Sequence, residues 1–378
     1  MGDALRDRLS DAGSIPAWSS CRYVIRICKA LCCCATYFRS TDSTNCNLLR
    51  IAGEKLFLPG FFKEGIKMKR LDYIDVSKGI CILLIMLGHC TAGTALRDNS
   101  LIIRWIYSYH VMSFFVISGF VIEHIHEHER PFKKIIISNF KGIMIPYYVF
   151  QLCYIILHAI KHNERVDWLH ILHLLHSDYQ YATWFLLTLF FAKITYITIK
   201  KVKFLPHFFI AMLFCIGMIM PSFGIDLPFP FGYVYKLFVR FAFAVGLMYL
   251  GSVLYRFKQH FQDYRIMVIA LAASLAIGIF NGGTSAFEMI YGNPILYVFS
   301  IIAGTVFVLC LSSHIESKVL SFYGKNSLIP MGTHELILMF LKPNILNWFL
   351  VVPCVGVITY LYTLIRNRTS NSRKKHAQ

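Results

Sequence analysis

Charge is scarce in this chain. Only 15% of its residues are Asp, Glu, Lys or Arg, against 56% hydrophobic, and acidic residues number just 20 among 378. A soluble domain of that length needs far more polar surface to cover its core, so a soluble globular fold is excluded. The formal charge of +18 does not restore nucleic acid as a partner. Lys and Arg fall in short clusters between apolar runs, and no basic face with interleaved aromatics lies outside those runs. The twelve cysteines contain no CxxC pair, which argues against a zinc site and against an evident disulfide framework. Cys81, Cys90, Cys153, Cys215, Cys310 and Cys354 are scattered singly through apolar segments, as small packing residues are. There is no GxSxG elbow and no phosphate-binding glycine loop. No internal repeat relates two halves, which weighs against an exporter or transporter built from paired broken helices.

What is abundant is long apolar sequence, with a mean hydropathy of +0.55. From Met68 onward about ten segments are long enough to cross a bilayer, some only with tilt. They are Gly79–Leu96, Trp105–Ile122, Gly142–Ile160, Thr183–Ile199, Leu205–Phe223, Tyr235–Tyr255, Ile266–Phe280, Ile295–His314, Ser327–Leu341 and Ile345–Ile365. All are expected to be helices, because lipid offers no water to an open strand edge. The fold class is therefore an all-α, polytopic membrane protein. Connecting loops alternate in charge. One set carries Lys67, Lys69, Arg70 and Lys78, then Arg130, Lys133, Lys134 and Lys141, and so on to Arg366, Arg368, Arg373, Lys374 and Lys375. The other holds only Arg97, Arg104, Lys161, Arg165, Lys236 and Lys342. The positive-inside rule then puts both termini in the cytoplasm, and an even span count agrees.

Residues 1–67 differ in kind. They are rich in Ser, Arg and Cys, with an apolar stretch too short to span and acidic residues where a signal peptide would have none. We read them as a leader or a mis-assigned start preceding Met68. The Cys32-Cys33-Cys34 run beside basic residues is a palmitoylation candidate. Residues 68–365 are expected to form the membrane-embedded domain, and 366–378 a basic cytoplasmic tail.

Ionisable groups inside apolar helices are costly unless they face a cavity or a partner, so they are the first candidates for function. His89 lies eleven residues beyond Lys78, roughly 16 Å up the first helix and near mid-membrane. His110 enters the second helix at a comparable depth, and His334 and Glu335 sit in the ninth. An imidazole is suited to taking a hydroxyl proton at neutral pH, which makes His89, His110 and His334 the catalytic candidates. Lys193 is expected to snorkel toward the cytoplasm, and Arg240 to snorkel or face a cavity. The run His124, His126, His128 beside Glu123 reads as solvated loop rather than a metal tract, and no metal site is expected. His158, His162, His170, His173 and His176 fall in or beside an outer loop. In the outer loops Trp168, Tyr179, Tyr181 and Tyr233 suit an interfacial belt better than a sugar platform.

Several motifs then become familiar. Tyr73-Ile74-Asp75-Val76-Ser77-Lys78-Gly79, followed by an apolar run to Leu87-Gly88-His89, resembles the first helix of the acyltransferase 3 family. It is similar in particular to the branch of fucose 4-O-acetylase-like proteins. His110 to Phe120 resembles that branch's second-helix motif. Phe132-Lys133-Lys134, Lys141 and Pro146-Tyr147 resemble the basic loop opening the third helix. Trp184-Phe185-Leu186 and Tyr323-Gly324-Lys325-Asn326-Ser327-Leu328 resemble later motifs. The resemblance covers Met68 to about Ile365. It implies transfer of an acetyl or other short acyl group from acyl-coenzyme A, a co-substrate rather than a bound cofactor, to a hydroxyl on a cell-surface or lipid-linked glycan. It implies that His89 is essential. Lys78 stands where the family often has arginine, losing the bidentate fork. On this resemblance Lys78, Lys133, Lys134 and Lys141 are expected to meet the coenzyme A phosphates, and Asp75, Trp184, Arg240 and Glu335 the substrate. The expected setting is the plasma or inner membrane. Some members carry a fused hydrolase-like domain; on this resemblance, any extracellular acyl-handling partner here is expected to be a separate protein. Alternatives are a polysaccharide exporter and a non-catalytic envelope assembly subunit.

Overall fold

The computed structural model describes residues 71–163, 182–202, 205–228 and 231–376. The leader with Cys32, Cys33, Cys34 and Met68, and the loop residues Trp168, His170, His173, His176, Tyr179 and Tyr181, lie outside them. Helices account for 80% of the described structure, and the sole strand-like pairing among the described residues is the bridge Ser285–Ile290. The first helix, α1, runs Asp72–Thr91. It starts seven residues before the expected Gly79, because Asp72 and Asp75 sit in its first turn, where carboxylates suit the helix dipole. It stops short of Leu96 because the chain bends through Gly93, at φ +74°. Two short helices follow, α2 (Ala95–Asn99) and α3 (Leu101–Tyr107), then α4 (Ser113–His124). Helix α5 (Phe132–Asn139) passes through a π-turn at Phe140–Met144 into α6 (Ile145–His162). Then come α7 (Thr183–Lys201), α8 (Pro206–Ile219), α9 (Phe231–Tyr255), α10 (Tyr264–Phe280) and α11 (Pro294–His314). The chain closes with α12 (Lys318–Lys325), α13 (Leu328–Leu338) and α14 (Asn347–His376).

Seven of these segments are long and apolar enough to cross a membrane. The expected count of ten is not reached on length. The segment Trp105–Ile122 is split between α3 and α4 by the turn at 108–112, and α10 and α13 are shorter than a full span. The seven differ sharply in exposure. In the most apolar stretch of α1, 67% of residues are buried, whereas α8 buries only 11% and α14 only 17%. Thus α1 is a central helix and α8 and α14 turn their apolar surface outward, as lipid-facing helices do.

Small residues let α1 approach its neighbours closely. A methyl group on Gly324 of α12 would fall 1.7 Å from the Asp75 carbonyl oxygen, and one on Gly79 would fall 2.1 Å from that of Leu320. Hydroxyls join the other helices. Ser108 meets Ser300 at 2.7 Å, Ser113 meets Thr305 at 2.9 Å, and the Trp105 indole donates to Ser274 at 2.6 Å. Trp348 of α14 donates to the Leu83 carbonyl of α1 at 3.1 Å.

At the end of the bundle where α4 meets α5, charges are paired. Lys193 lies 2.9 Å from Glu127, which also accepts from Asn139 at 3.1 Å, and Lys200 pairs with Glu123. Burial alone would raise the Glu127 carboxyl, but Lys193, Asn139 and Arg130 outweigh it and hold the group below the ordinary glutamate range. Lys193 therefore ends in a defined ion pair rather than in solvent.

The α1–α12 contact gives a direct test of the packing. Gly324→Ala should lower the unfolding midpoint of the detergent-solubilised protein, because backbone rather than a flexible side chain blocks the methyl group. A cost of about 1–3 kcal/mol is expected. An unchanged midpoint would show that the two helices are not in backbone contact.

Candidate active site

The last turn of α1 carries His89, seventeen residues beyond Asp72, or about 26 Å along the helix. It therefore lies deeper toward the far end than a count from Lys78 suggests. Its side chain is 31% exposed and its Nδ1 lies 2.8 Å from Oε1 of Glu335, which is 8% exposed. The second carboxylate oxygen of Glu335 accepts from the backbone N–H of Ala182, at the entrance to α7. One buried carboxylate thus holds His89 and ties α13 to both α1 and α7. Since a carboxylate only accepts, the His89 proton sits on Nδ1 and the lone pair on Nε2.

His334, next to Glu335 on α13, is fully buried, and its ring centroid lies 5.0 Å from that of His89. Its Nδ1 donates to the Pro330 carbonyl at 2.8 Å. His110 lies not inside a helix but in the turn between α3 and α4, buried, with Nδ1 donating to the Ile106 carbonyl at 2.6 Å. Both histidines are therefore held in the tautomer that leaves an Nε2 lone pair. The Nε2 of His334 is buried without a partner among the described residues. Tyr107 links these groups: its ring centroid is 5.0 Å from that of His110, and its hydroxyl donates to the Gly88 carbonyl at 3.0 Å, one residue before His89.

A small cavity touches His89 and is otherwise lined by Ile85, Val111, Ala182, Trp184, Phe185 and Met331. Trp184 and His89 thus line the same cavity. Arg240 stands behind it, its guanidinium 5.2 Å from the Trp184 ring and 4.8 Å from the Phe287 ring, donating to the Phe287 carbonyl. Arg240 supports the Trp184 wall rather than snorkelling. Asp75 is buried at the opposite end of α1, about 21 Å along the helix from His89. Lys78 is also near that end, while Lys133, Lys134 and Lys141 are exposed on α5 and the π-turn. These four lysines are not brought to His89.

Among the described residues, two groups of donor atoms are close enough to share an ion. One comprises His89, His334 and Glu335, the other His126, His128 and Glu129 in the exposed turn after α4, with donor atoms within 4.8 Å of one another in each. In the first, the His89–Glu335 hydrogen bond already occupies one atom of each partner. The arrangement is chemically a base held by an acid: a carboxylate orients an imidazole and stabilises the cation formed when Nε2 takes a proton. Sequence reasoning placed Glu335 among substrate contacts and missed this role, although its adjacency to His334 in an apolar helix was the available signal. Tyr107 and the Ala182 amide carried no such signal.

A family model described as an acyltransferase domain matches residues 71–365, most of the chain. The chain belongs to the acyltransferase 3 family. It is accordingly a multi-pass membrane acyltransferase. No curated protein and no solved structure matches the sequence. Within this acyltransferase, replacing Glu335 by Gln keeps the shape but removes the charge that stabilises a protonated His89. Turnover should fall about 10²–10⁴-fold at unchanged protein level, with Glu335→Asp recovering part of it. Turnover within about tenfold of wild type would remove Glu335 from the chemistry.

Proposed function

We propose that the chain transfers an acetyl or other short acyl group from acyl-coenzyme A to a hydroxyl of a cell-surface or lipid-linked glycan, in the plasma or inner membrane. The observation that carries this reading is the 2.8 Å bond between His89 Nδ1 and Glu335, which leaves Nε2 as the basic nitrogen. The acceptor hydroxyl gives its proton to Nε2 as its oxygen attacks the thioester carbonyl. The carbon–sulfur bond then breaks, and the coenzyme A sulfur leaves as the thiol with the proton that His89 carries. The products are an ester and free coenzyme A. Transient acylation of His89 itself is the other route open to an imidazole.

The tautomers divide the roles of the other histidines. With Nδ1–H bound to a carbonyl, Nε2 of His334 and of His110 accepts a hydrogen bond. That suits orienting the acceptor hydroxyl and does not suit polarising the thioester carbonyl. Trp184, braced by Arg240, forms a wall against the reacting groups. Lys133 and Lys134 on α5 and Lys141 on the π-turn are exposed, where cationic groups attract the phosphates of coenzyme A from the cytoplasm. The likeness of the first two motifs to the fucose 4-O-acetylase-like branch supports a sugar hydroxyl as acceptor.

Two measurements test this. Membranes containing the chain should incorporate label from radiolabelled acetyl-coenzyme A into envelope glycan, and His89→Ala at matched protein level should lose at least about 10²-fold of it. Retained incorporation in His89→Ala would end the assignment. Changing Lys133, Lys134 and Lys141 together to Ala should raise KM for acetyl-coenzyme A several-fold with little change in kcat, an effect that shrinks as salt is raised. A fall in kcat alone would place these lysines elsewhere in the cycle.

A further inference from the structure

The turn that leaves α4 gathers donors of the kind that bind metals, and the acyl-transfer step uses none of them. Residues 123–129 read Glu-His-Ile-His-Glu-His-Glu, an alternation of carboxylates and imidazoles. In an uninterrupted helix His126 and His128 would stand about 200° apart, on opposite faces. The helix does not continue there. It ends at His124, His126 adopts the left-handed conformation at φ +48°, and one 3-10 turn follows over Glu127–Glu129. That change of course brings the two imidazole rings together, with centroids 6.2 Å apart, and aims both at Glu129.

The distances suit a shared ion better than a hydrogen bond. Nδ1 of His126 lies 3.3 Å from Glu129 Oε1, and Nε2 of His128 lies 3.9 Å from the same oxygen. Both are longer than the usual N–H to oxygen hydrogen bond. A tetrahedral Zn²⁺ with bonds of about 2.0–2.1 Å holds its donors about 3.3–3.4 Å apart. Here the three donor atoms already lie within 4.8 Å of one another. The other ring nitrogen of His128, Nδ1, is buried without a partner among the described residues, so Nε2 is the one it offers. The His126 and Glu129 side chains are 50% and 66% exposed, which gives them room to turn and close the remaining gap. Two neighbouring cations are engaged by other acids, Lys193 by Glu127 and Lys200 by Glu123.

We propose that His126, His128 and Glu129 bind a divalent transition-metal ion, with Zn²⁺ the preferred occupant. Imidazole nitrogens select such an ion over Mg²⁺ and Ca²⁺, which favour all-oxygen shells. Three protein donors leave the fourth position to water. The bound ion staples the exit of α4 to the turn that enters α5. It does so apart from the cluster of His89, His334 and Glu335 and does not depend on the acyl-transfer role.

Calorimetric titration of Zn²⁺ into the purified, tag-free, full-length protein, first stripped of metal with a chelator, tests the site. A bound ion is expected that a hundredfold excess of Mg²⁺ or Ca²⁺ does not displace. His126→Asn, which tolerates the left-handed backbone, His128→Gln and Glu129→Gln should each weaken binding by about tenfold or more. His334→Gln, which breaks the other cluster, should leave it unchanged. Zn²⁺ should raise the Tm of the wild type and not that of His126→Asn/His128→Gln. Should that double variant not fold, His126→Asn and Glu129→Gln singly decide. Absence of Zn²⁺ binding, or its ready displacement by Mg²⁺ or Ca²⁺, overturns the proposal. So does binding of equal strength in the variants of the turn, which would assign the ion to other histidines or cysteines of the chain.

Discussion

An apolar bundle offers no water to a polar side chain, so each such group must find its partner inside the protein. Glu335 shows how far that constraint reaches. Both of its oxygens are engaged, one by His89 and one by the Ala182 amide, and each bond crosses to a different helix or helix entrance. A free carboxylate at that depth would be costly, and a protonated one could not hold His89 in a defined tautomer. Satisfying the acid therefore positions the base. The same constraint explains the hydroxyl pairs between helices and the clasp of Arg240 on Trp184 and Phe287.

Much of this was legible in the sequence, and the rest was hidden for identifiable reasons. Helical content and membrane class follow from hydropathy, which is a local property. The ends of α1 were misplaced because hydropathy begins at Gly79, whereas the helix begins where Asp72 and Asp75 meet its dipole. The break at 108–112 was missed because that turn is as apolar as the helices it joins, so His110 was placed inside a span. His89, His334 and Trp184 are visible as candidates because ionisable or large amphipathic groups in apolar helices stand out. Their mutual arrangement was not legible, since it depends on which helices cross. His89 and Glu335 are separated by nearly 250 residues, and only the packing of α13 against α1 brings them together. Asp75, as conspicuous in sequence as Glu335, serves the far end of the same helix.

That separation of ends gives α1 a directional meaning. Its first turn meets Lys325 through Asp72, and its last turn holds His89 beside a small cavity. A helix of twenty residues is about 30 Å long, close to the thickness of the apolar layer. On the proposed mechanism a donor whose phosphates stay at the lysine end must send its thioester through the bundle. An acceptor approaching from the other end meets His89 at the last turn of α1. The two substrates then need share no binding surface except the reacting atoms.

Such an arrangement also bears on the competition between transfer and hydrolysis. His89 Nε2 would activate water as readily as a sugar hydroxyl, and water is far more abundant than any glycan. The cavity that touches His89 is small and walled by Ile85, Val111, Phe185 and Met331, so it favours no disordered solvent. Selection for the acceptor then depends on binding energy supplied away from the reacting hydroxyl, which remote groups of a substrate can provide and water cannot. Groups around the cavity at His89, such as Trp184 braced by Arg240, are placed to supply it. An acceptor held there presents its hydroxyl at high effective concentration to a base whose orientation Glu335 has already fixed, and that orientation, unlike the wall around it, cannot be shared with water.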